Sequence, residues 1–211
     1  MRTVRLLSVF TLVMLSQPLK AFDVAALGVV GVAMPSYTIG ASTTVTTVPK
    51  LGFGFGAIAG VYSPFPGFTI ETGILMTPHK FTLDSTTTSP GTYLATDTLT
   101  MNFLTVPILL RFDLLPVLSF GAGGYLGFAS GTITRTTGST DSPESYDQNN
   151  LNKSDFGLMA SASVGLPVFP MVKILFDLRY LHGLANLSKL TDKSTATMKD
   201  LQLWAGLKLA I

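Results

Sequence analysis

The chain has 211 residues, 47% hydrophobic and only 12% charged, with 20 Gly, 12 Pro, no Cys and a formal charge of +2. Soluble domains carry about 25% charged residues, and past residue 20 no apolar run reaches the ~18 residues of a membrane-spanning helix. Disulfides, iron–sulfur clusters, Cys-based zinc sites and a lipidated N-terminal Cys are excluded, and the low charge speaks against a disordered chain or a nucleic-acid binder.

Residues 1–21 open with Arg2 and Arg5, continue through an apolar stretch from Leu6 to Leu15 and end in Ser16-Gln17-Pro18-Leu19-Lys20-Ala21. This three-part layout predicts a signal peptide cleaved after Ala21, its apolar part being too short for a stop-transfer helix. Three of the 14 basic residues lie inside it and all 12 acidic residues outside, which leaves 11 bases against 12 acids, a formal charge of −1. A basic surface for nucleic acid is therefore not expected.

Residues 22–211 read as one domain of strands, with apolar segments separated by Thr-, Ser-, Gly- and Pro-rich breaks and no competing helical stripe. The expected strands are 23–34, 50–62, 67–82, 97–112, 117–130, 155–166, 171–186 and 197–210. Three connections are short and contain Pro, which has no N–H to donate: Ser63-Pro64-Phe65-Pro66, Asp113-Leu114-Leu115-Pro116 and Pro167-Val168-Phe169-Pro170. The other four are long and polar: Pro35–Pro49, Leu83–Thr96, Gly131–Ser154 and Leu187–Ala196. Strict alternation of long and short connections predicts an all-β fold, an eight-stranded antiparallel up-and-down transmembrane β-barrel with both termini on the periplasmic side.

Each strand then has a lipid face and an interior face. In the seventh, Val172, Ile174, Phe176, Leu178 and Tyr180 are expected outward, with Lys173, Leu175, Asp177 and Arg179 inward. In the fourth, Leu104, Val106, Ile108, Leu110 and Phe112 alternate with Thr105, Pro107, Leu109 and Arg111. In the third, Phe68, Ile70, Thr72, Ile74 and Met76 are outward and Glu71 inward; in the eighth, Leu201, Leu203, Ala205, Leu207 and Leu209 are outward, with Gln202, Trp204 and Lys208 inward. The candidate interior cluster is thus Glu71, Arg111, Lys173, Asp177, Arg179 and Lys208, two acids against four bases and so short of carboxylates. Gly52, Gly54, Gly56 and Gly60, with Gly121, Gly123 and Gly127, are expected to make room for these long side chains, Tyr62, Tyr125 and Trp204. An eight-stranded interior is only just wide enough for side chains to fill it.

Several segments resemble a known family. Phe103-Leu104-Thr105-Val106-Pro107-Ile108-Leu109-Leu110-Arg111-Phe112 is similar to the aromatic–Leu–x–Ile–Pro–Leu–Leu–Leu–Lys–aromatic strand of the outer-membrane β-barrel domain family that includes PorT-like proteins. Phe120-Gly121-Ala122-Gly123-Gly124-Tyr125-Leu126-Gly127 resembles its next strand. Asp155-Phe156-Gly157-Leu158 with Gly165, and Leu178-Arg179-Tyr180-Leu181-His182-Gly183-Leu184-Ala185-Asn186-Leu187, resemble its sixth and seventh. Two departures are visible: Thr105 stands where that fourth strand often has Glu, and the last residue is Ile211 where such barrels usually end in Phe. The resemblance implies a location and a fold rather than an activity.

No catalytic constellation stands out. His79 and His182 fall near the predicted outer ends of the third and seventh strands, but neither forms a His-x-Ser pair, and there is no Gly-x-Ser-x-Gly turn. Of the acids, Asp84, Asp97 and Asp155 come near that rim. Asp141, Glu144 and Asp147 lack the ligand density and turn Gly of an EF-hand. The sequence therefore predicts a non-catalytic outer-membrane barrel of a Gram-negative bacterium, with a structural or surface-exposed role, a side-chain-filled interior, and no metal or cofactor. Expected partners are outer-membrane lipids, lipopolysaccharide and, through the C-terminal strand, the barrel-insertion machinery; a monomer is expected. The alternatives are a narrow channel for small solutes, a lipid-modifying enzyme, or a soluble lipocalin-like carrier with the two faces reversed.

Overall fold

A computed structural model of the protein describes residues 22–38, 43–62, 67–87, 93–189 and 195–211. The proposed leader (1–21) and the turn at 63–66 lie outside the described residues. The strands are β1 (Phe22–Ala33), β2 (Ser36–Thr38), β3 (Thr43–Tyr62), β4 (Phe68–Thr87), β5 (Tyr93–Leu115), β6 (Leu118–Thr137), β7 (Thr140–Glu144), β8 (Ser154–Phe169), β9 (Val172–Gly183), β10 (Thr195–Thr197) and β11 (Lys199–Ala210).

Eight of these form the barrel. Its order is β5-β4-β3-β1-β11-β9-β8-β6, and pairing of β5 with β6 closes the ring. Every neighbouring pair is antiparallel, and β1 joins β11 from Asp23↔Ala210 to Ala33↔Asp200. Closure removes the free edges that would leave backbone groups unpaired in lipid. Two prolines coincide with irregularities. The β4–β5 ladder runs from Phe68↔Phe112 to Thr72↔Ile108 and resumes at Leu75↔Thr105, with Pro107 in the gap. Pro167 adjoins the register shift between β8 and β9. A residue without an N–H fits both places.

The faces follow the alternation read from the sequence. Phe53, Phe55, Ile70, Ile74, Ile108, Leu110, Leu126, Phe128, Phe156, Leu158, Leu178, Leu203 and Leu207 are exposed on the outside, whereas Glu71, Arg111, Asp177, Arg179 and Trp204 are buried inside. Five two-residue steps, as from Phe68 to Pro78 along β4, rise roughly 33 Å and shorten with tilt to about the 25 Å of a lipid-facing band. This arrangement is the reverse of a soluble carrier's. No helix among the described residues is long and apolar enough to cross a membrane.

The eight expected spans are all present, but the long connections are largely strand. β3 and β4 continue their ladder to Thr43↔Thr87, and β4 and β5 theirs to Thr87↔Tyr93. β6 runs on to Thr137 and folds back through β7, which pairs Thr137↔Thr140 to Ile133↔Glu144. β2 and β10 form a separate two-stranded sheet. The four strands β3–β6 thus rise as a wall above the lower rim made by β1, β11, β9 and β8. Threonine-rich sequence, read as hydrated loop, is compatible with strands because branching at Cβ favours them. In the other direction the seventh span is shorter than expected, since β9 stops at Gly183. At the opposite end the turns are tighter than expected: β5 continues to Leu115 and β8 to Phe169, leaving residues 116–117 and 170–171.

Candidate functional site

The barrel's middle is an ion network built across the lumen by β4 and β5 on one side and β9 on the other. Arg111 of β5 donates through Nε to Glu71 Oε2 at 2.5 Å and through Nη2 to Asp177 Oδ2. Arg179 of β9 donates through Nε to Asp177 Oδ2 at 2.8 Å and through Nη2 to Glu71 Oε1 at 2.9 Å. Two guanidiniums therefore share two carboxylates, and the charge closes at zero. Arg111 Nη1 donates to Ser163 Oγ at 2.9 Å, which lies 2.7 Å from Ser119 Oγ. All four charged residues are at most 2% exposed, and Arg179 is 0%. Withdrawing four charges from water costs several kcal/mol per ion, and only such mutual pairing offsets it.

Trp204 seals one side of this network. Its ring centroid is 5.5 Å from the Arg179 guanidinium carbon, and its Nε1–H donates to Gln202 Oε1 at 3.0 Å. Ala25, Leu27, Val29, Ile58, Leu75 and Leu175 pack with it. On the other side Leu109, Tyr125, Met159 and Leu181 form a second apolar group.

Four of the six expected cluster members therefore meet: Glu71, Arg111, Asp177 and Arg179. Lys208 does not join them. It pairs with Asp23 at 2.7 Å nearer the turn end, where Asp23 is buried. Lys173 lies opposite Lys208 on β9 and reaches the Pro116 carbonyl at 2.9 Å. Among the four that meet, bases and acids are equal in number, and Asp23 adds a third carboxylate against the four expected bases. Asp23 shares the inward parity of Ala25 and Leu27, and that alternation was the signal that could have found it.

The glycines make room as expected in part. A Cβ at Gly121 would stand 2.7 Å from Ser161 Oγ and 3.2 Å from Arg111 Cγ, and one at Gly60 would stand 2.6 Å from Asp23 Oδ1. At Gly54 and Gly56 the crowding comes instead from Pro78, Val29 and Leu75 and from the neighbouring strand's carbonyls. Those glycines let adjacent backbones coil closely. Trp204 is accommodated by the aliphatic group around it rather than by a glycine stripe.

Above the network lies a second polar layer. His79 Nδ1 is 3.1 Å from Asp200 Oδ1, Tyr125 donates to Asp155 Oδ2 at 2.8 Å, and the hydroxyls of Thr77 and Thr105 are 2.9 Å apart. His79 points into the barrel and lies edge-on to Phe103, its ring centroid at 5.1 Å. His182 occupies an outward position on β9, with Tyr180 Oη 3.4 Å from its Nδ1. His79 thus faces the lumen from β4 and His182 faces outward from β9, so the two histidines build no common site. Asp200 has the same parity as Gln202 and Trp204 and lies within the expected eighth strand, 197–210, so its inward position was legible from the alternation.

An apolar cap covers that layer. Phe81, Leu99, Met101, Phe103 and Ile133 from the inner face of the wall enclose Tyr146, Leu151, Leu187, Ala196 and Met198 from the connections. Inside the loops, Asn186 Oδ1 accepts from the backbone N–H of Ser188 at 3.0 Å and of Ala196 at 2.8 Å. Burial raises the Tyr146 hydroxyl to about 12. The loop acids have individual partners: Asp141 accepts from Thr136, Glu144 pairs with Arg135, and Asp147 with Lys153 and Lys189. Lysine hydrogen bonds hold the Asp147 carboxyl below the usual carboxylate range. Asp97 pairs with Arg135 at the wall, while Asp84 lies opposite Thr46 and Thr96. Among the described residues, no group of three or more His, Asp or Glu is placed to hold a metal ion.

Comparison with known proteins agrees with the architecture. The family described as outer membrane protein beta-barrel domain matches residues 28–189, more than half of the chain. Outer membrane protein OprG from Pseudomonas aeruginosa is similar in fold at 12% identity, with a TM-score of 0.53 over 91% of this chain and 97% of that one. Neisserial surface protein A aligns at 15% identity and a TM-score of 0.46, covering 90% and 97%. Ail, the attachment invasion locus protein of Yersinia pestis, aligns at 14% identity and 0.42, covering 90% and 100%. Sequence comparison with curated proteins gives no match.

Proposed function

Since the chain belongs to the outer membrane protein β-barrel domain family, we propose that it works as a sealed, non-catalytic barrel that presents its tall wall at the cell surface. The observation that carries this reading is the filling of the interior: a charge-neutral network of Glu71, Arg111, Asp177 and Arg179 beneath an apolar cap of wall and connection side chains. A solute conduit needs a continuous hydrated path, and buried guanidinium–carboxylate pairs enclosed by Trp204, Leu75 and Leu109 oppose one. The start of β1, the end of β11 and the tight turns at 116–117 and 170–171 share one end, which such barrels direct to the periplasm. The wall then faces outward, with its charged and hydroxyl side chains paired at Arg135, Asp97, Glu144 and Thr137.

The absence of cysteine from the sequence makes a direct test simple. Single cysteines are placed at Asp147 on the wall end, at Val117 on the turn end and at Ser161 in the interior, and cells are treated with a membrane-impermeant maleimide. Cysteine at 147 is expected to react on intact cells, and cysteine at 117 only after permeabilisation. Cysteine at 161 is expected to stay unreactive in both conditions. Labelling at 161 from outside would contradict the sealed interior, and labelling at 117 on intact cells would reverse the orientation.

A further inference from the structure

The barrel's lysines and arginines divide into two groups. Arg111, Arg135, Lys153, Lys173, Arg179, Lys189 and Lys208 each have a carboxylate or carbonyl partner. Among the described residues, Lys50, Lys80 and Lys199 have none. These three share one place in the fold. Each is the next outward position beyond the apolar belt at the wall end: Lys50 adjoins Leu51, Lys80 follows Pro78, and Lys199 precedes Leu201. His182, opposite Lys199, occupies the same level on β9.

Lys50 and Lys80 are paired directly across β3 and β4. Like charges in that position repel, so two exposed lysines held there favour an anion between them. The register shift in β3 between Lys50 and Phe55 brings Lys50 to the outer face beside exposed Leu51. The strands concerned, β4-β3-β1-β11-β9, are consecutive around the ring. Neighbouring strands are about 4.8 Å apart, so Lys50 and Lys199 are separated by roughly 10 Å across β1. Among the described residues, the belt's other end has no outward charge: Val61, Phe68, Phe112, Phe120, Val168 and Leu209 stand there.

We propose that this one-sided arc of Lys50, Lys80, Lys199 and His182 binds the phosphoryl groups of an anionic outer-leaflet glycolipid. Its acyl chains lie along Leu51, Phe53, Leu201 and Leu203. Lys50 and Lys80 clamp one phosphoryl group, and Lys199 with His182 meets a second. The assignment of leaflet rests on the wall end facing outward; the binding chemistry does not, and purified protein tests it independently of orientation.

The full chain, purified in detergent with EDTA, is titrated with diphosphoryl lipid A, monophosphoryl lipid A and phosphatidylethanolamine, and bound lipid is counted by native mass spectrometry. Affinity is expected to fall in that order. Each lysine near an anionic lipid surface is worth about fivefold, so Lys50→Gln/Lys80→Gln is expected to weaken diphosphoryl lipid A by about 30-fold. Lys153→Gln/Lys189→Gln, which alters loop lysines that already pair with Asp147, is expected to change nothing. Unchanged Trp204 emission checks that the variants are folded. Equal binding of all three lipids by the unmodified chain, or undiminished lipid A binding by the double variant, overturns the proposal. Complete competition by millimolar inorganic phosphate would likewise overturn it, by reducing the arc to a plain anion site.

Discussion

Replacing Arg179 with Met removes one cation from a network of two cations and two anions. Glu71 and Asp177 then face Arg111 alone, and one negative charge is left buried without compensation. Arg179 is fully buried, with hydrogen bonds of 2.8 Å to Asp177 and 2.9 Å to Glu71. Breaking a buried pair from one side costs about 3–5 kcal/mol. The same change in a water-filled lumen costs about 1 kcal/mol or less. The readout is built in, because the single tryptophan of the chain, Trp204, lies against the Arg179 guanidinium. Urea unfolding of barrels in lipid vesicles, followed by Trp204 fluorescence, is expected to show the midpoint falling by about 2 M for a slope near 2 kcal/mol per molar. Asp177→Asn/Arg179→Met restores neutrality around Glu71 and Arg111. It is expected to be less destabilised than the sum of its single variants by about 1–3 kcal/mol. A midpoint shift under about 0.5 M, together with an additive double variant, would refute the reasoning.

Other outcomes follow from the same geometry. Tyr125→Phe deletes the hydrogen bond to buried Asp155 and is expected to cost about 1–3 kcal/mol in the same unfolding assay. Ile108→Arg, on the outer face near mid-belt, is expected to cost about 2–4 kcal/mol in lipid and much less in a charged detergent. Gly138, at φ +63° with open space around its Cβ position, joins β6 to β7. Gly138→Val is therefore expected to raise protease nicking of that hairpin by backbone strain alone. The carboxyl of Asp147 is held low by Lys189 and Lys153, so its ion pairs support the loop above the ordinary carboxylate pKa. That support is lost as pH falls through the lowered value. Protease nicking at residues 145–153 is expected to rise there, and also in high salt at neutral pH.

Much of the barrel was legible because a two-residue period leaves its mark on both faces. Ile174, Phe176 and Leu178 against Leu175, Asp177 and Arg179 require a boundary between lipid and interior, and the structure places it there. The Pro-containing breaks at 116 and 170 marked the turn end for a physical reason, the missing N–H. What alternation could not specify was where a strand stops once it leaves the membrane. Above the belt, lipid no longer selects apolar outward residues, and Thr82, Thr98 and Thr136 pair across β4, β5 and β6 in sequence that reads equally as loop. The cap was invisible for the same reason, since Tyr146, Leu151 and Leu187 come from connections with no period at all. The interior network was only partly legible: the inward face of each charge could be assigned, but not its partner. Arg111 meets Asp177 across the lumen at a separation of 66 positions, and Asp23 finds Lys208 through closure of the first strand on the last.

The central claim is that the interior is sealed, and single-channel recording of the purified, refolded protein in planar bilayers tests it most directly. Insertion is verified by protease protection of the same sample. The unmodified barrel is expected to show no steady openings across the voltage range, whereas Arg179→Ala, which opens a gap beside Trp204, is expected to leak. Steady, ion-selective openings of the unmodified protein, with selectivity altered by Arg179→Ala, would contradict the account.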